Sequence, residues 1–443
     1  MLKSLGKTIF SLFEQKDYLS LLALVVFIVL VLGLPFSFGL SAIMTGSLAA
    51  IAVVNFKKII ANYKEGFFKA YILHPIVVLL LFATTLYSDF QEGFKLAYRL
   101  NGFLIFPIII LSFAHFLKHV YKELLLLLIA SITLSSIITL IINFLPAEMI
   151  IGFDFRFEYV ENSSAFGMYS PFMRRTQFSN YVAISTLLSA LLFYFNYYRK
   201  LMVIIFSWLI FFTFILGGRD AQLGLFFGLL ILFVFIIVPI AYNKFKSSFG
   251  KSGARSIIVF LFIFFFLSPF IAYKVIPPFT KRVDQTRWEL HTLKTGEYIN
   301  FEYEHFTTLS RFVSWKNHWA VIKEHPVLGT GIGDFSSTLF EKYENDAFNF
   351  PKYYHNFYLF LWGSGGLLVL FVFLIDIAIW LRSLFHQQFK IFMFGAAYMA
   401  CYLIILIFDS SILAQMDNIL YHFIFCLIPI ISIAEKEKFL VTL

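Results

Sequence analysis

Residues 310–335 read SRFVSWKNHWAVIKEHPVLGTGIGDF and residues 352–360 read KYYHNFYLF, and both lie in the one long polar segment of an apolar chain. Of its 443 residues, 60% are hydrophobic and 14% are charged. A soluble domain is about 45–50% apolar and about 25% charged. Apolar runs long enough to cross a hydrocarbon core of about 30 Å recur along the whole chain. The sequence therefore predicts an all-α polytopic membrane protein, with the quoted segment outside the membrane.

About twelve transmembrane helices are predicted from these runs. They lie at about residues 18–34, 36–54, 70–87, 97–117, 123–144, 180–197, 201–216, 222–242, 256–275, 357–381, 389–408 and 418–434. Residues 1–275 then hold helices one to nine, and residues 276–355 form one large loop with short amphipathic helices. Residues 356–443 hold the last three helices.

The basic residues indicate the orientation. Lysine and arginine are concentrated in alternate short loops and in the tail, at residues 57–64, 118–122, 199–200, 244–255, 382 and 436–438. Because short cytoplasmic loops are rich in these residues, both termini are expected in the cytoplasm and the large loop on the outer face. The same rule explains the net charge of +9, so we expect membrane lipids, and no nucleic acid, as partners.

Arg219 is the first candidate anion ligand. It follows Gly217 and Gly218, which permit an abrupt helix end, and the next helix begins at once. A guanidinium group binds phosphate bidentately. The alternative is an interfacial arginine that reaches the headgroups and pairs with Asp220.

Arg311 is the second candidate, near the start of a helix that hydroxyl side chains at 307–310 can cap. An apolar stripe at helical spacing indicates that this helix lies in the membrane interface. The stripe consists of Leu309, Phe312, Trp315, Trp319 and Ile322. Arg311, Ser314 and His318 fall off it, and a lipid-headgroup contact is the alternative role for Arg311.

The turn HPVLGTGIGDF, at residues 325–335, contains Gly329, Gly331 and Gly333. A glycine-rich loop can hold phosphate through backbone N–H groups. Without a following lysine or a strand–helix context, the pattern favours a tight structural turn with positive φ angles.

His355 lies just before the tenth predicted span, beside Asn356. A histidine titrates near about pH 6.5 and can accept a proton from a hydroxyl group, so His355 is a candidate general base that Asn356 could orient. A structural histidine is the alternative. Arg174 and Arg175 precede the sixth span on the same face, where they either add positive charge or anchor the helix.

Metal chemistry is not indicated. The acidic residues Glu302, Glu304, Glu341 and Glu344 read as solvated loop positions, not as the paired oxygen ligands of a hard cation. The two cysteines, at 401 and 426, lie in apolar runs and read as small buried hydrophobic residues. We therefore expect no metal ion and no cofactor.

Four of these segments together resemble the O-antigen ligase family, which includes related polymerases. They are MRRTQFSNYVA at 173–183, GGRDAQLGLFFG at 217–228, RFVSWKNHWAVIKEHPVLGTGIGDF at 311–335 and HNFYLFLWGSGGLLVLF at 355–371. Their order matches the family, as does the predicted pattern of about twelve spans with one large periplasmic loop. One difference is Asp220, where the family usually has a small residue.

The resemblance implies a metal-independent, inverting glycosyltransferase of lipopolysaccharide biosynthesis in the bacterial inner membrane. The donor would be a glycan on undecaprenyl diphosphate, and the acceptor would be lipid A–core. By position, Arg219 and Arg311 would neutralise the diphosphate leaving group and His355 would activate the acceptor hydroxyl. Substrate-binding roles are then expected for Arg174, Arg175 and Asn356, in contact with the diphosphate.

Two alternatives remain open on the sequence. An O-antigen polymerase would use the same donor and extend a lipid-linked repeat. A lipid-linked glycan transporter would have charged residues buried in the middle of spans and internal repeats.

Overall fold

The computed structural model describes residues 2–64, 71–144, 170–296, 307–343, 355–386 and 388–441. Every regular element among these residues is helical. The first seven helices are α1 (Leu2–Glu14), α2 (Tyr18–Gly33), α3 (Phe38–Val54), α4 (Phe56–Lys64), α5 (His74–Thr84), α6 (Phe90–Arg99) and α7 (Gly102–Phe144). The next five are α8 (Arg175–Tyr194), α9 (Arg199–Leu216), α10 (Arg219–Leu232), α11 (Val238–Val275) and α12 (Pro277–Thr295). The last five are α13 (Thr307–Glu324), α14 (Phe335–Lys342), α15 (Phe357–Phe385), α16 (Phe389–Phe408) and α17 (Gln415–Val441).

The chain forms two compact units. Unit 1 consists of Met1–Ser131, Glu297–Ile391 and Leu406–Leu443. Unit 2 consists of Ile132–Gly296 and Phe392–Ile405. The segment predicted as one large loop, residues 276–355, therefore contributes α12 to unit 2 and α13 to unit 1.

Six helical stretches among the described residues are long and apolar enough to cross a membrane, or seven if the bent pair α3–α4 is one span. The six are Phe90–Phe144, Arg199–Leu216, Arg219–Val275, Phe357–Phe385, Phe389–Phe408 and Gln415–Glu437. Two shorter apolar helices, α2 and α5, accompany them. An all-helical, multi-span membrane protein is thus confirmed, whereas the count of twelve and the periplasmic loop remain predictions.

Some predicted spans are joined into longer helices. α7 has 43 residues, a length of about 65 Å at the α-helical rise, so it runs through two predicted spans and the basic loop between them. Residues 118–122 contain neither glycine nor proline to end the helix. A second continuous stretch, Arg219–Val275, joins two more predicted spans. Its break is at Gly250, where φ is 70° and ψ is 179°.

Ion pairs and hydrogen bonds join three segments of unit 1 that were predicted to share the cytoplasmic face. Lys118 and Lys122 of α7 pair with Glu437 and Glu435 of α17 at 3.2 and 3.4 Å. Ser4 of α1 donates a hydrogen bond to Glu123 of α7. α1 and the last part of α17 therefore both contact the middle of α7, and the cytoplasmic location of the termini stays a prediction.

Candidate active site

The buried face of α13 differs from the predicted one. Leu309 and Ile322 are buried as the apolar stripe predicts, but Trp319 is 41% exposed. Ser314 and His318, which fall off that stripe, are each 2% exposed. The polar face can turn inward because His318 Nδ1 donates to the carbonyl oxygen of Ser314 at 2.5 Å, so its hydrogen bond is made within the helix.

Burial keeps His318 uncharged. Its removal from water lowers the pKa to about 4, an effect that the hydrogen bond to Ser314 partly opposes. With Nδ1 as the donor in that bond, the neutral ring carries its lone pair on Nε2. His318 is therefore a neutral, buried group beside the candidate catalytic residues.

His355 lies against the same helix. The indole Nε1 of Trp315 donates a hydrogen bond to the carbonyl oxygen of His355 at 3.1 Å. Burial lowers the pKa of His355 to about 3, with further contributions from the positive charge of Arg311 and from His318. The structure thus brings Arg311 and His355 together and leaves the imidazole neutral, which is the state that can accept a proton.

The backbone at His355 has a positive φ of 35°, an uncommon conformation for a residue other than glycine. The next residue, Asn356, is the N-cap of α15, and its Oδ1 accepts from the backbone N–H of Leu359 at 3.0 Å. Such a cap contributes about 1 kcal/mol to helix stability. Asn356 therefore fixes the start of α15, and only its amide nitrogen remains to contact His355 or a substrate.

The glycine turn is held from one side by α15. Gly329 and Gly331 have φ angles of 70° and 88°. A Cβ on Gly329 would lie 2.5 Å from the carbonyl oxygen of Gly363, and Thr330 N–H donates to that oxygen at 2.9 Å. A Cβ on Gly366 would lie 1.9 Å from the carbonyl oxygen of Val327. The turn and the helix are thus in backbone contact, which glycine alone permits.

On its other side the turn contacts the end of α5 and the residues after it. The N–H groups of Ile332 and Gly333 donate to Thr84 Oγ1 and Ser88 Oγ at 3.0 and 3.2 Å. These donors are used within the protein and do not point at an open anion site. The geometry supports the structural interpretation of the turn over the phosphate-binding one.

Arg219 lies in unit 2 as the first residue of α10. α9 ends at Leu216, Gly217 has a φ of 79°, and a Cβ on Gly218 would lie 2.3 Å from Ser179 Oγ of α8. The two glycines thus make the abrupt turn that the sequence predicts. The positions before α8 also lie in this unit, with Arg174 exposed as its N-cap and Arg175 as its first residue.

The guanidinium group of Arg219 is held by α12. Its Nη1 donates to Thr286 Oγ1 at 2.6 Å and lies 3.8 Å from Glu289 Oε1. The side chain of Arg219 is 20% exposed and that of Glu289 is fully buried. An acidic group that approaches Arg219 is therefore Glu289, at a distant sequence position. The neighbour Asp220 is 3% exposed.

Comparison with known families supports the resemblance drawn from the sequence. Residues 184–374 match the model of the O-antigen ligase family. The matched range includes Arg219, Arg311 and His355, and it begins after Arg174 and Arg175. A search of curated proteins finds no matching sequence. The middle part of the chain is thus similar to the O-antigen ligase family, which supports the coarser interpretation as a membrane glycosyltransferase of the ligase or polymerase type.

Sequence reasoning missed the polar residues of α12 that surround Arg219. Arg282, Thr286 and Glu289 recur at helical spacing, and Arg282 is 3% exposed while Glu289 is 1% exposed. That spacing places three polar side chains on one helix face, which is a signal that the sequence contains. This spacing was not recognised because residues 277–295 contain many polar side chains and were interpreted as part of a solvated loop.

Within the described residues, no group of three or more histidine, cysteine or acidic side chains is arranged to hold a metal ion. Glu302, Glu304 and Glu344 lie outside the described residues. The expectation that the reaction needs no metal remains a prediction. Cys401 and Cys426 are both buried and unbonded to each other.

Proposed function

We propose that this protein transfers a glycan from undecaprenyl diphosphate to a lipid A–core acceptor at the periplasmic face of the bacterial inner membrane. The observation that carries the proposal is the pairing of a half-buried, neutral imidazole, His355, with the positive charge of Arg311. The match of residues 184–374 to the O-antigen ligase family supports it. Transfer would be inverting and independent of metal.

The chemistry assigns one proton transfer to His355. The acceptor hydroxyl oxygen bonds to the anomeric carbon of the donor, and the bond from that carbon to the diphosphate oxygen breaks. The hydroxyl proton passes to the imidazole, which its low pKa keeps unprotonated at the start of the reaction. A single displacement of this kind inverts the configuration at the anomeric carbon.

Arginine supplies the positive charge that the leaving diphosphate needs. Charge-assisted hydrogen bonds from a guanidinium group to phosphate are short and directional, and they act where negative charge develops as the bond breaks. Arg311 is proposed to do this beside His355, and Arg219 is proposed as a second ligand of the diphosphate, as the resemblance implies. Glu289 offsets part of the charge of Arg219. Arg174, Arg175 and Asn356 are proposed as further contacts to the donor.

An acceptor assay tests the proposal against the polymerase alternative. Purified protein receives a lipid-linked glycan together with either lipid A–core or a second lipid-linked repeat. Extension of lipid A–core supports the ligase. Extension of the second repeat instead identifies a polymerase, and transfer to neither contradicts both.

The transporter alternative has one specific observation in its favour, because ionisable groups are buried among the apolar helices of unit 1, as described below. A detergent-solubilised assay separates it from the transferases, since transport needs two compartments and glycan transfer does not. Product formation in detergent that requires His355 would exclude a purely transporting role.

A further inference from the structure

Three ionisable side chains are buried together inside unit 1, away from the candidate active site. His74 of α5, Asp376 of α15 and His422 of α17 are 0%, 1% and 0% exposed. His74 Nδ1 lies 2.6 Å from Asp376 Oδ2, and His74 Nε2 lies 2.8 Å from His422 Nδ1. The three groups, which we call the Asp–His–His row, thus form one hydrogen-bonded chain across three helices.

Aromatic rings enclose the row. The ring of Phe425 stacks on His74 with centroids 4.3 Å apart, and Phe103 lies 4.5 Å from His74 and 4.3 Å from His422. A Cβ on Gly102 would lie 2.1 Å from Cδ2 of His422. The start of α7 is therefore a glycine position that leaves room for the imidazole. The row lies in an apolar surrounding in which a net charge is costly.

The hydrogen bonds can be made with or without one extra proton. Without it, His74 donates from Nδ1 to the carboxylate and His422 donates from Nδ1 to His74 Nε2, which leaves a net charge of −1 on the row. With it, His74 is an imidazolium that donates to both partners, and the net charge is zero. Breaking the neutrality of a buried ion pair is strongly unfavourable, so the protonated row is the state that the surroundings favour.

Two titratable side chains of α17 lie near the carboxylate of Asp376. Tyr421 and Cys426 interact electrostatically with Asp376. Tyr358 of α15 interacts with Tyr421. Tyrosine and cysteine side chains are uncharged near neutral pH, so none of them can neutralise the carboxylate.

We propose that Asp376, His74 and His422 form a buried proton-binding site that holds one proton at neutral pH. The bound proton makes the row neutral and so joins α5, α15 and α17. These helices support the glycine turn, because Thr84 at the end of α5 accepts from Ile332 N–H. α15 begins directly after His355 and Asn356. The proton thus stabilises the packing behind the candidate active site.

Magnetic resonance of the full-length protein in lipid nanodiscs tests this directly, with ¹⁵N-labelled histidine and ¹³C-labelled aspartate at neutral pH. The expected spectrum contains a histidine with both ring nitrogens protonated and no exchange with water, or else a protonated, water-inaccessible aspartate carboxyl. Either signal shows the held proton. A spectrum in which every non-exchanging histidine is neutral and every aspartate is ionised would overturn the proposal.

Two variants assign the signal. Asp376→Asn removes the negative charge with little change of shape, and it is expected to abolish the non-exchanging protonated signal. His386→Gln, at an exposed position near the end of α15, is the matched control and should leave it unchanged. Persistence of an imidazolium signal in Asp376→Asn would contradict the charge balance. The magnetic resonance measurement requires no glycan transfer, so its result tests the proton-binding site independently of the proposed function.

Discussion

The pH dependence of transfer offers a sharp test of His355 as the general base. Burial and Arg311 lower its pKa to about 3. A group with a lowered pKa stays neutral until the pH falls to that value, so the free protein keeps its base through the weakly acidic range. At pH 5, about 1% of such a histidine is protonated, against about 97% for one with an unperturbed pKa of about 6.5.

Binding of the donor should raise the pKa of His355, because the negative diphosphate offsets the positive charge of Arg311 that lowers this pKa. The acid limb of kcat/KM reports the free protein and that of kcat reports the complex with substrate. We therefore expect the acid limb of kcat/KM well below pH 5 and the acid limb of kcat at a higher pH.

The assay measures initial rates of glycan transfer from the lipid-linked donor between pH 4 and pH 9. His355→Ala and His355→Gln serve as variants, and each should lower kcat by roughly 10²–10⁴-fold, the usual size of the loss of a general base, while donor binding is largely kept. Near-normal rates in both variants would refute the assignment. An acid limb of kcat/KM between pH 6 and pH 7 that vanishes in both variants would show that the site does not depress the pKa.

Three further perturbations address other parts of the structure. Arg311→Ala should weaken donor binding and turnover and should raise the pH of the acid limb of kcat/KM, because the positive charge beside the general base is lost; steady-state kinetics over pH measure both. Glu289→Gln removes a carboxylate that lies 3.8 Å from Arg219, and the gross attraction between the two charges is about 4 kcal/mol at an effective dielectric constant of about 20. The thermal stability of the protein should therefore fall. The Kd of the donor should decrease up to tenfold, because Glu289 no longer offsets the charge of Arg219. Gly366→Ala forces a side chain into a backbone conformation that only glycine adopts readily, and it should lower the free energy of unfolding by at least about 2 kcal/mol, measured by thermal denaturation in detergent.

Each of these changes has a matched control. Arg311→Lys keeps the charge and should leave the acid limb near its original pH, and unchanged kinetics in Arg311→Ala would make that arginine structural. Glu341→Gln removes an exposed carboxylate and should not alter donor binding; a weaker donor Kd in Glu289→Gln would instead show that Glu289 positions Arg219. Gly39→Ala adds a methyl group where nothing lies within 4 Å, and equal stability loss there would refute the argument about Gly366.

Much of the local structure could be predicted because its causes act over a few residues. Gly217 ends α9 with a positive φ, and α13 ends at Glu324, close before Pro326. The glycine turn adopts the tight conformation that its composition favours. Hydropathy does not determine where a helix ends between two spans. A basic stretch without glycine or proline, such as residues 118–122, continues as helix through the predicted loop.

The candidate site was predictable in part. Arg311 lies close enough to His355 for its charge to lower the pKa of the histidine, and the roles that the resemblance implies for both residues stay predictions. The buried face of α13 differs from the apolar stripe. The apolar stripe marks the side chains that can leave water, but His318 and Ser314 can also be buried because they form a hydrogen bond with each other. Hydropathy does not register such a bond, so the apolar stripe gave no sign that Ser314 and His318 are buried.

The sequence by itself determined the all-helical, multi-span character and the similarity of residues 184–374 to O-antigen ligases, because apolar runs and short motifs are local properties. Only the tertiary structure decided which distant polar groups meet. Glu289 approaches Arg219 from another helix, and His74 meets Asp376 and His422 across 302 and 348 positions of sequence. The physical reason is that a buried polar group must find a partner in space, and packing alone selects which residue lies within hydrogen-bonding distance.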